Sequence, residues 1–324
     1  MKSKLLLASG VTALLFTLND MYATSPKREF RSTWFTTHVN IDWPRTKGNS
    51  ASKIEAQKAD LINYLNGFEK INLNGICFQV RAQADAVYRS SYEPWSAVMT
   101  GTRGLDPGWD PLEFAVEECH KRGLECYAWI NPYRWSTGPD YNTPQDKEFK
   151  EKGWVLSWGS YYVLNPALPE VRAHILKVCE EIVDKYPLDG VLFDDYFYPN
   201  NIPENSEAGD WNDYKNSGTT LSIGDWRREN INLFVREFKA MIEKNHPDMR
   251  FGISPAGVAG KSAAKFGVDP VPVKASDWQY NTIYSDPLAW LAEGSIDFIS
   301  PQIYWTTTHS TAPYEPLCVL LPFP

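Results

Sequence analysis

Short apolar runs alternate with amphipathic stretches six times between residues 31 and 305, and this alternation limits the folds that the chain can adopt. The apolar runs are rich in β-branched and aromatic residues, as strands are, whereas the stretches between them repeat apolar residues at helical spacing. The predicted strands begin near Arg31, Gly75, Leu124, Asp189, Arg250 and Ile296, and the predicted helices near Ser52, Asp110, Pro169, Trp226 and Asp286. The pattern predicts a parallel sheet with right-handed crossovers.

Loop lengths indicate which edge of that sheet carries the function. The connections from helix to strand are short, whereas three connections from strand to helix, residues 82–109, 132–168 and 198–225, are unusually long. In a (β/α)8 TIM-type barrel the active site is built from the loops at the carboxyl ends of the strands. A doubly wound sheet is the competing α/β fold, but it would more often show a glycine-rich phosphate turn after its first strand, and none follows here.

The sequence accounts for about six of the eight βα units of a TIM-type barrel. The residues after Trp305 are too few for two further units, and they include Pro313, Pro316, Pro322 and Pro324. We therefore expect residues 24–324 to form one barrel domain that is incomplete at its C-terminal end.

The first 23 residues differ in character from the rest. Lys2 and Lys4 precede an apolar stretch, residues 5–18, that is too short to span a bilayer comfortably, and Ala23 offers a small residue for cleavage. We interpret residues 1–23 as a secretory signal peptide. We expect an exported protein, periplasmic or extracellular, with no membrane span once the signal is removed.

The amino-acid composition limits the kinds of ligand and partner that the chain is expected to bind. The formal net charge is −8 and no run of Lys and Arg interrupts the acidic balance, so a nucleic-acid partner is not expected. The chain has 13 Trp, which suit stacking on sugar faces, although about half are expected to fill the core. The five cysteines show no CxxC spacing and are expected to be free thiols, with Cys77, Cys119, Cys126 and Cys179 buried. No cofactor or metal is predicted, and the oligomeric state is not indicated.

Two adjacent carboxylates follow the fourth predicted strand. The run Asp189–Pro199 places Asp194 and Asp195 after a buried strand, at the edge where parallel α/β proteins bind ligands. Because side chains alternate along a strand, both can face a site only if the strand ends between them. The alternative interpretation is that the two acids merely end the strand and cap the turn.

Several runs of the chain resemble those of the glycosyl-hydrolase-like ten family of exported bacterial proteins. These runs are Phe193–Pro199 and Pro301–Trp305, together with Phe30–Pro44, Asn131–Arg134 and Gly252–Gly257. The resemblance covers nearly everything after residue 23. It implies a TIM-type barrel that acts on glycans, with some members linked to peptidoglycan strands. It also implies two more strands after Trp305, which this sequence lacks.

Glycoside cleavage needs two carboxyl groups, one as proton donor and one as nucleophile or base. Asp194 is the predicted catalytic carboxylate, because its place after Asp-Gly on the fourth strand resembles the nucleophile strand of retaining barrel glycosidases. Asp195 is predicted as the acid or as an orienting residue. No further catalytic acid is identified, since Asp297 lies at the wrong end of its strand. The open loop candidates are Asp42, Glu204, Glu207 and Asp210.

Polar and aromatic residues at the strand ends complete the predicted polysaccharide site. Gln79, Asn131 and Gln302 are predicted to bind sugar hydroxyls, and Arg81 either to hold a carboxylate substituent or to form an ordinary salt bridge. The predicted stacking residues are Tyr133, Tyr196, Tyr198 and Tyr304, with Trp305 as a further candidate, and His38 could contact a hydroxyl.

Two other functions compete with an exported glycoside hydrolase. A metal-dependent polysaccharide deacetylase would use adjacent aspartates to bind a metal that activates water. It would also need histidines at ligand spacing, and the five histidines are scattered along the chain. A glycan-binding protein would keep the aromatic platform without turnover.

Overall fold

The computed structural model describes residues 29–136, 138, 141–204, 209–258 and 277–314. Residues 29–31 contain an ion pair of 3.1 Å between Arg31 and Glu29, and a separate compact unit starts at Ser32. The predicted signal peptide, Glu207 and Cys318 lie outside the described residues. Within those residues, no helix combines the length and the apolar character needed to cross a membrane.

The described residues form nine strands. They are β1 (Ser32–Phe35), β2 (Gly75–Arg81), β3 (Glu125–Ile130), β4 (Arg134–Ser136), β5 (Val155–Trp158), β6 (Tyr161–Leu164), β7 (Gly190–Phe193), β8 (Arg250–Ile253) and β9 (Phe298–Ile299). Six of them make one sheet in the order β1-β2-β3-β7-β8-β9, with every pairing parallel. Each strand joins the same edge, without the reversal of a doubly wound sheet. The predicted parallel sheet is confirmed.

Helices connect these strands. They are α1 (Ala51–Lys70), α2 (Ala97–Thr100), α3 (Pro111–His120), α4 (Pro144–Glu151), α5 (Pro169–Lys185), α6 (Trp211–Asn216), α7 (Ile223–Asn245), α8 (Trp278–Asn281) and α9 (Pro287–Glu293), with a short 3-10 helix at His38–Asn40. The predicted caps of α3 and α9 are present. Asp110 accepts from the N–H groups of Leu112 and Glu113, and Asp286 accepts from that of Ala289.

Three sequence-based expectations about elements are wrong. The helix α1 begins earlier than the predicted capping residue Ser52, because Ser50 has the extended backbone of an N-cap and Ser52 is already helical. The sixth strand is two residues long rather than ten, and Ala256 and Gln302 add an isolated bridge beyond it. The loop 132–168 contains a second, antiparallel sheet of order β4-β6-β5, which sequence patterning did not indicate because its strands are only three or four residues long.

The two faces of the parallel sheet are packed differently. One face, which includes Phe78, Val191 and Phe193, joins the large core that the helices cover. The alternate positions point to the other face, where Trp34, Cys77, Tyr127, Trp129, Leu192 and Phe298 form a smaller cluster, the inner cluster. Alternation of side chains along each strand therefore produces the inside and the outside of a barrel wall.

Two strand glycines make room for the inner cluster. Gly190 lies beside Tyr127, and Gly252 lies beside Phe298. A Cβ atom at Gly190 would come within 2.3 Å of the Tyr127 ring, and one at Gly252 within 2.4 Å of the Phe298 ring. The absence of a side chain at these positions lets the Tyr127 and Phe298 rings meet edge to face at 5.9 Å.

Burial of the cysteines and tryptophans follows the prediction. Cys77, Cys119, Cys126 and Cys179 are buried free thiols. Six of the 13 tryptophans are buried: Trp43, Trp109, Trp135, Trp154, Trp226 and Trp290. About half of the indole rings are thus part of the core rather than of a sugar-binding surface.

We predict that Gly190→Ala lowers the free energy of unfolding by about 1–3 kcal/mol, the usual cost of overpacking, because backbone as well as ring atoms surround the added methyl group. Gly67→Ala is the matched control, because a Cβ atom at Gly67, in α1, would have nothing within 4 Å. This substitution should raise the free energy of unfolding by about 0.5–1 kcal/mol. Urea unfolding of both variants checks the prediction, and equal stability of the two would contradict it.

Candidate active site

A layer of polar side chains lies directly above the inner cluster, at the carboxyl ends of the strands. Gln79 follows Cys77 by two positions, Asn131 follows Trp129, and Asp194 follows Leu192, so all three continue the inward-facing series. Nε2 of Gln79 donates to Oδ1 of Asn131 over 2.8 Å, and Nδ2 of Asn131 donates to Oδ2 of Asp194 over 2.8 Å. We call Gln79 and Asn131 the amide chain.

Backbone donors determine the orientation of the amide chain. Oε1 of Gln79 accepts from the N–H groups of Thr37 at 3.0 Å and His38 at 2.8 Å, and from the Thr36 hydroxyl at 2.6 Å. A backbone N–H can only donate, so the Gln79 carbonyl oxygen must face it and the Gln79 amino group must face Asn131. Asn131 is consequently forced to present its own amino group to Asp194.

Asp194 is buried and accepts three N–H donors. Besides Asn131, its Oδ1 accepts from the backbone N–H of Asp195 at 2.8 Å and from Nε2 of Gln302 at 3.2 Å. Gln302 also donates to the carbonyl of Ser254 at 3.0 Å, which anchors it to β8. Donors from three sides stabilise a negative charge on the Asp194 carboxylate.

Asp195, in contrast to Asp194, has few hydrogen-bond donors around its carboxyl group. It is buried, and its Oδ1 has no hydrogen-bond partner among the described residues. Burial, together with the charge and hydrogen bonding of Asp194, raises the pKa of Asp195 to about 8, against a weaker opposing effect from Gln302. The two neighbouring carboxyl groups therefore differ: burial and the neighbouring charge favour the protonated form of Asp195, whereas Asp194 accepts three N–H hydrogen bonds.

Tyr196 separates two cavities that open beside this pair. The first, the acid pocket, has about 440 Å³ and is lined by Asp195, Tyr196, Ala256, Val258, Trp278, Gln279, Gln302, Tyr304, Trp305, Thr311 and Ala312. The second, the arginine pocket, also has about 440 Å³ and is lined by His38, Arg134, Ser136, Ser160, Tyr161, Tyr162, Val163, Tyr196 and Tyr198. A cavity of about 730 Å³ lies at the amino ends of β3, β7 and β8, the edge that barrels use for stability rather than chemistry.

The sequence model of the glycosyl hydrolase-like 10 family matches residues 29–320 of the chain. The chain belongs to the glycosyl hydrolase-like 10 family. This confirms the resemblance drawn from the sequence motifs.

Two relatives of known name are similar in sequence. The chain is 40% identical over 297 residues to the glycosyl hydrolase YngK of Bacillus subtilis (strain 168), a match that covers 90% of this chain and 57% of YngK. It is 35% identical over 304 residues to the glycosyl hydrolase DigH of Escherichia coli (strain K12), a match that covers 89% of this chain and 68% of DigH. The chain thus spans a little more than half the length of YngK.

Solved structures share the fold at low sequence identity. The glycoside hydrolase domain of PgaB (BpsB) from Bordetella bronchiseptica matches with a TM-score of 0.51 and 15% identity, over 84% of this chain and 73% of that chain. The α-L-fucosidase isoenzyme 2 from Paenibacillus thiaminolyticus matches with a TM-score of 0.50 and 14% identity, over 78% of this chain and 37% of that chain. With the strand order, these likenesses confirm the predicted TIM-barrel fold class.

In this member of the glycosyl hydrolase-like 10 family, three predicted sugar-binding residues have other positions. Gln79 and Asn131 are completely buried, so they orient Asp194 instead of touching a ligand. Arg81 is also completely buried and pairs with Glu93 over 2.6 Å. A bulge after Gln79 is the physical reason, because it pairs Arg81 with Ile130 of the outer face rather than continuing the inward series.

The predicted stacking tyrosines divide into two groups. Tyr133 and Tyr198 are buried, with Tyr133 packed on Phe197 and Phe234, which favours a core role over stacking on sugars, although Tyr198 also lines the arginine pocket. Tyr196 is 40% exposed and Tyr304 is 81% exposed, which leaves their rings accessible beside the acid pocket. These two residues keep their predicted role as proposals.

The loop acids considered from sequence have varied surroundings. Asp210 is buried against Arg227 at 2.6 Å, and Asp297 accepts from the backbone of Phe251 at the opposite end of the sheet. Asp42 accepts from the N–H of Thr36, above β1, and Glu204 is exposed and accepts from a tyrosine hydroxyl. Within the described ranges, no cluster of three or more His, Cys, Asp and Glu side chains could hold a metal ion.

Sequence reasoning missed the arginine pocket. Arg134 ends the Asn-Pro-Tyr-Arg run that supports the family resemblance, yet only the antiparallel pairing of β4 with β6 brings it beside Tyr196. The long loop 132–168 was a signal that this edge is elaborated, but its length does not indicate which side chains turn inward.

We predict that Gln79→Glu destabilises the protein by about 1–3 kcal/mol at pH 7, the cost of an unsatisfied buried group. The new carboxylate would face Oδ1 of Asn131, so that two acceptors would meet without a donor. If the Asn131 amide instead rotated to donate to the carboxylate, its own oxygen would face Asp194. Protonation of the new acid restores a donor, so the loss should shrink as the pH falls toward about 4. Urea unfolding at pH 4 and pH 7 measures it. Asn63→Asp, an exposed change on α1, is the control, and a loss independent of pH would contradict the assigned orientation.

We predict that Asp195→Asn stabilises the protein at high pH relative to wild type. Because the folded-state pKa of Asp195 is raised, its favourable contribution is complete below the unfolded pKa and is lost as the pH rises toward about 8. Asparagine does not ionise, so the stability gap should open between pH 4 and pH 8 and exceed about 1 kcal/mol at the upper end. Chemical denaturation across this range tests the prediction, and parallel stability curves would refute it.

Proposed function

We propose that the chain is an exported glycoside hydrolase that cleaves O-glycosidic bonds of a polysaccharide, with Asp194 and Asp195 as catalytic carboxyl groups. One observation carries the proposal. Two adjacent carboxyl groups at the carboxyl end of β7 have different surroundings: Asp194 accepts three N–H hydrogen bonds, and Asp195 is buried with a raised pKa and an unpartnered oxygen. Membership of the glycosyl hydrolase-like 10 family supports the same chemistry.

The two groups receive different roles. Asp195 is the general acid, because it keeps a proton at neutral pH and lines the acid pocket. It donates that proton to the glycosidic oxygen as the bond from this oxygen to the anomeric carbon breaks. Asp194 stabilises the positive charge that develops on the anomeric carbon. A water molecule then adds to this carbon and gives one proton to the Asp195 carboxylate, which restores the acid. The amide chain and Gln302 orient Asp194 for this role.

Peptidoglycan glycan strands are the proposed polysaccharide, and the periplasm or the cell exterior is the proposed location. The substrate proposal is supported by the family resemblance of the sequence motifs and by the exposed tyrosine rings at 196 and 304, which can stack on sugars. The location is supported by the basic and then apolar character of residues 1–23.

A glycan-binding protein without turnover is the second candidate, and one observation favours it. Asp194 and Asp195 are adjacent in the chain, and the backbone N–H of Asp195 donates to Oδ1 of Asp194 at 2.8 Å, so the two carboxyl groups lie close together. The two carboxyl groups of a retaining glycosidase are about 5 Å apart, and those of an inverting enzyme are farther apart, so that sugar or water fits between them. Under this alternative the pair holds a sugar hydroxyl and no bond is broken.

Release of soluble fragments from polysaccharides tests the proposal. We expect the full chain to release fragments from peptidoglycan, assayed with and without stem peptides beside a panel of other polysaccharides. Asp194→Asn should reduce the rate at least about 100-fold, the effect of removing one preorganised charge. Asp297→Asn is the matched control, since it changes an aspartate on the same sheet at the opposite edge and should keep activity.

The two candidate functions give different results in this assay. Fragments that vanish in Asp194→Asn and persist in Asp297→Asn support the hydrolase. Cooperative unfolding together with retention on a polysaccharide, and no fragments from any of them, would support the binding protein and overturn the hydrolase.

A further inference from the structure

Arg134 lies at the carboxyl edge of the sheet and has no acidic partner in the part of the chain that the structure describes. The other deeply placed arginines are paired: Arg81 with Glu93 at 2.6 Å, Arg103 with Asp146 at 2.9 Å, and Arg227 with Asp210 at 2.6 Å. Arg134 has none of the ion pairs found among the described residues, and its guanidinium lies over the Tyr196 ring at 4.8 Å. A half-buried arginine left unpaired in a cavity is available for an anionic ligand.

The surroundings of Arg134 form a built pocket. Its walls include the rings of Tyr161 and Tyr196, which are 39% and 40% exposed and offer aromatic surface to a sugar. Nδ1 of His38 is buried there without a hydrogen-bond partner among the described residues. Burial and the Arg134 charge lower the pKa of His38, with Asp85 opposing them, so Arg134 supplies the positive charge of this pocket.

The position of the pocket connects it to the proposed catalytic pair. Tyr196 follows Asp195 directly in the chain and forms part of both the arginine pocket and the acid pocket. A glycan bound across Tyr196 would therefore place one sugar at Asp195 and a neighbouring sugar at Arg134. The Arg134 guanidinium lies over the Tyr196 ring at 4.8 Å, and a guanidinium can bind a carboxylate with two parallel hydrogen bonds.

We propose that Arg134 is the specificity residue of the site and recognises a carboxylate carried by a sugar adjacent to the cleaved bond. This inference rests on the proposed function in taking the ligand to be a glycan. Two kinds of sugar carry such a group: a lactyl ether, as in N-acetylmuramic acid, and a uronic acid. Both offer a planar carboxylate to the same guanidinium edge.

Calorimetric binding to the full chain carrying Asp194→Asn, which keeps the ligand intact, tests the inference. The ligands are a tetrasaccharide of alternating N-acetylglucosamine and N-acetylmuramic acid, the same compound with its carboxylates converted to methyl amides, and tetragalacturonate. Arg134→Gln should weaken binding of an acidic ligand about 10- to 100-fold, the range for a hydrogen bond to a charged group, and leave the methyl amide unchanged. The acidic ligand that responds identifies the source of the carboxylate.

Matched variants separate a charge effect from damage to the fold. Arg134→Lys keeps the charge without the planar fork and should recover part of the affinity. Arg45→Gln removes another arginine that stacks on a tyrosine, Tyr64 at 5.0 Å, and should leave binding unchanged. If Arg134→Gln fails to fold, the preference for the acidic ligand over its methyl amide is measured in the protein with Arg134 and in Arg134→Lys. The comparison of these two preferences then decides whether Arg134 recognises the carboxylate.

The outcomes distinguish this inference from the proposed function. Equal loss for acid and amide ligands, no preference for the acid, or no binding of either acid overturns the role of Arg134. Selective loss for an acid supports it, even if the wild-type chain cleaves no polysaccharide in the fragment assay, a result that would overturn only the hydrolase.

Discussion

The contact between Gln79 and the backbone N–H groups of Thr37 and His38 determines the orientation of the polar side chains that meet at Asp194. A side-chain amide can be placed in two ways, but a backbone N–H can only donate, so the first amide has one possible orientation. Because the Gln79 amino group then donates to the Asn131 oxygen, the Asn131 amino group must donate to Asp194. Removing the anchor would leave two amides free to reverse, and the carboxylate would lose a donor.

The inner cluster determines the height at which this layer lies. Tyr127 and Phe298 fill the space inside the sheet only because Gly190 and Gly252 have no side chains. The next inward-facing positions on the strands, Gln79, Asn131 and Asp194, then form a polar layer above these packed aromatic rings. Steric constraint below and hydrogen bonding above thus place Asp194 at the base of an open edge, and Asp195, outside the alternating series, beside it with its oxygen unpartnered.

The arginines of the structure differ in whether a carboxylate is paired with them. Arg81, Arg103 and Arg227 are each neutralised by a carboxylate, which keeps buried charges from standing alone. Arg134 is the contrasting case, since it is held by an aromatic ring rather than by an acid. The same edge therefore presents Asp195, whose pKa is raised, and Arg134, which has no ion pair among the described residues, and Tyr196 lines both of their cavities.

The alternation of apolar runs and amphipathic stretches was sufficient to predict the parallel sheet, the caps at Asp110 and Asp286, and the placement of Asp194, Asp195 and Gln302 at its carboxyl edge. These features depend on local periodicity and on which residue ends a strand, and both can be read along the chain. The roles of Arg81, Tyr133 and Arg134 could not be read in that way. A bulge turned Arg81 toward Glu93, tertiary packing buried Tyr133, and the antiparallel pairing of two short strands that are separated in sequence brought Arg134 to Tyr196. Contacts across the fold decided these orientations, because the direction of a side chain at a strand end depends on neighbours that are remote in sequence.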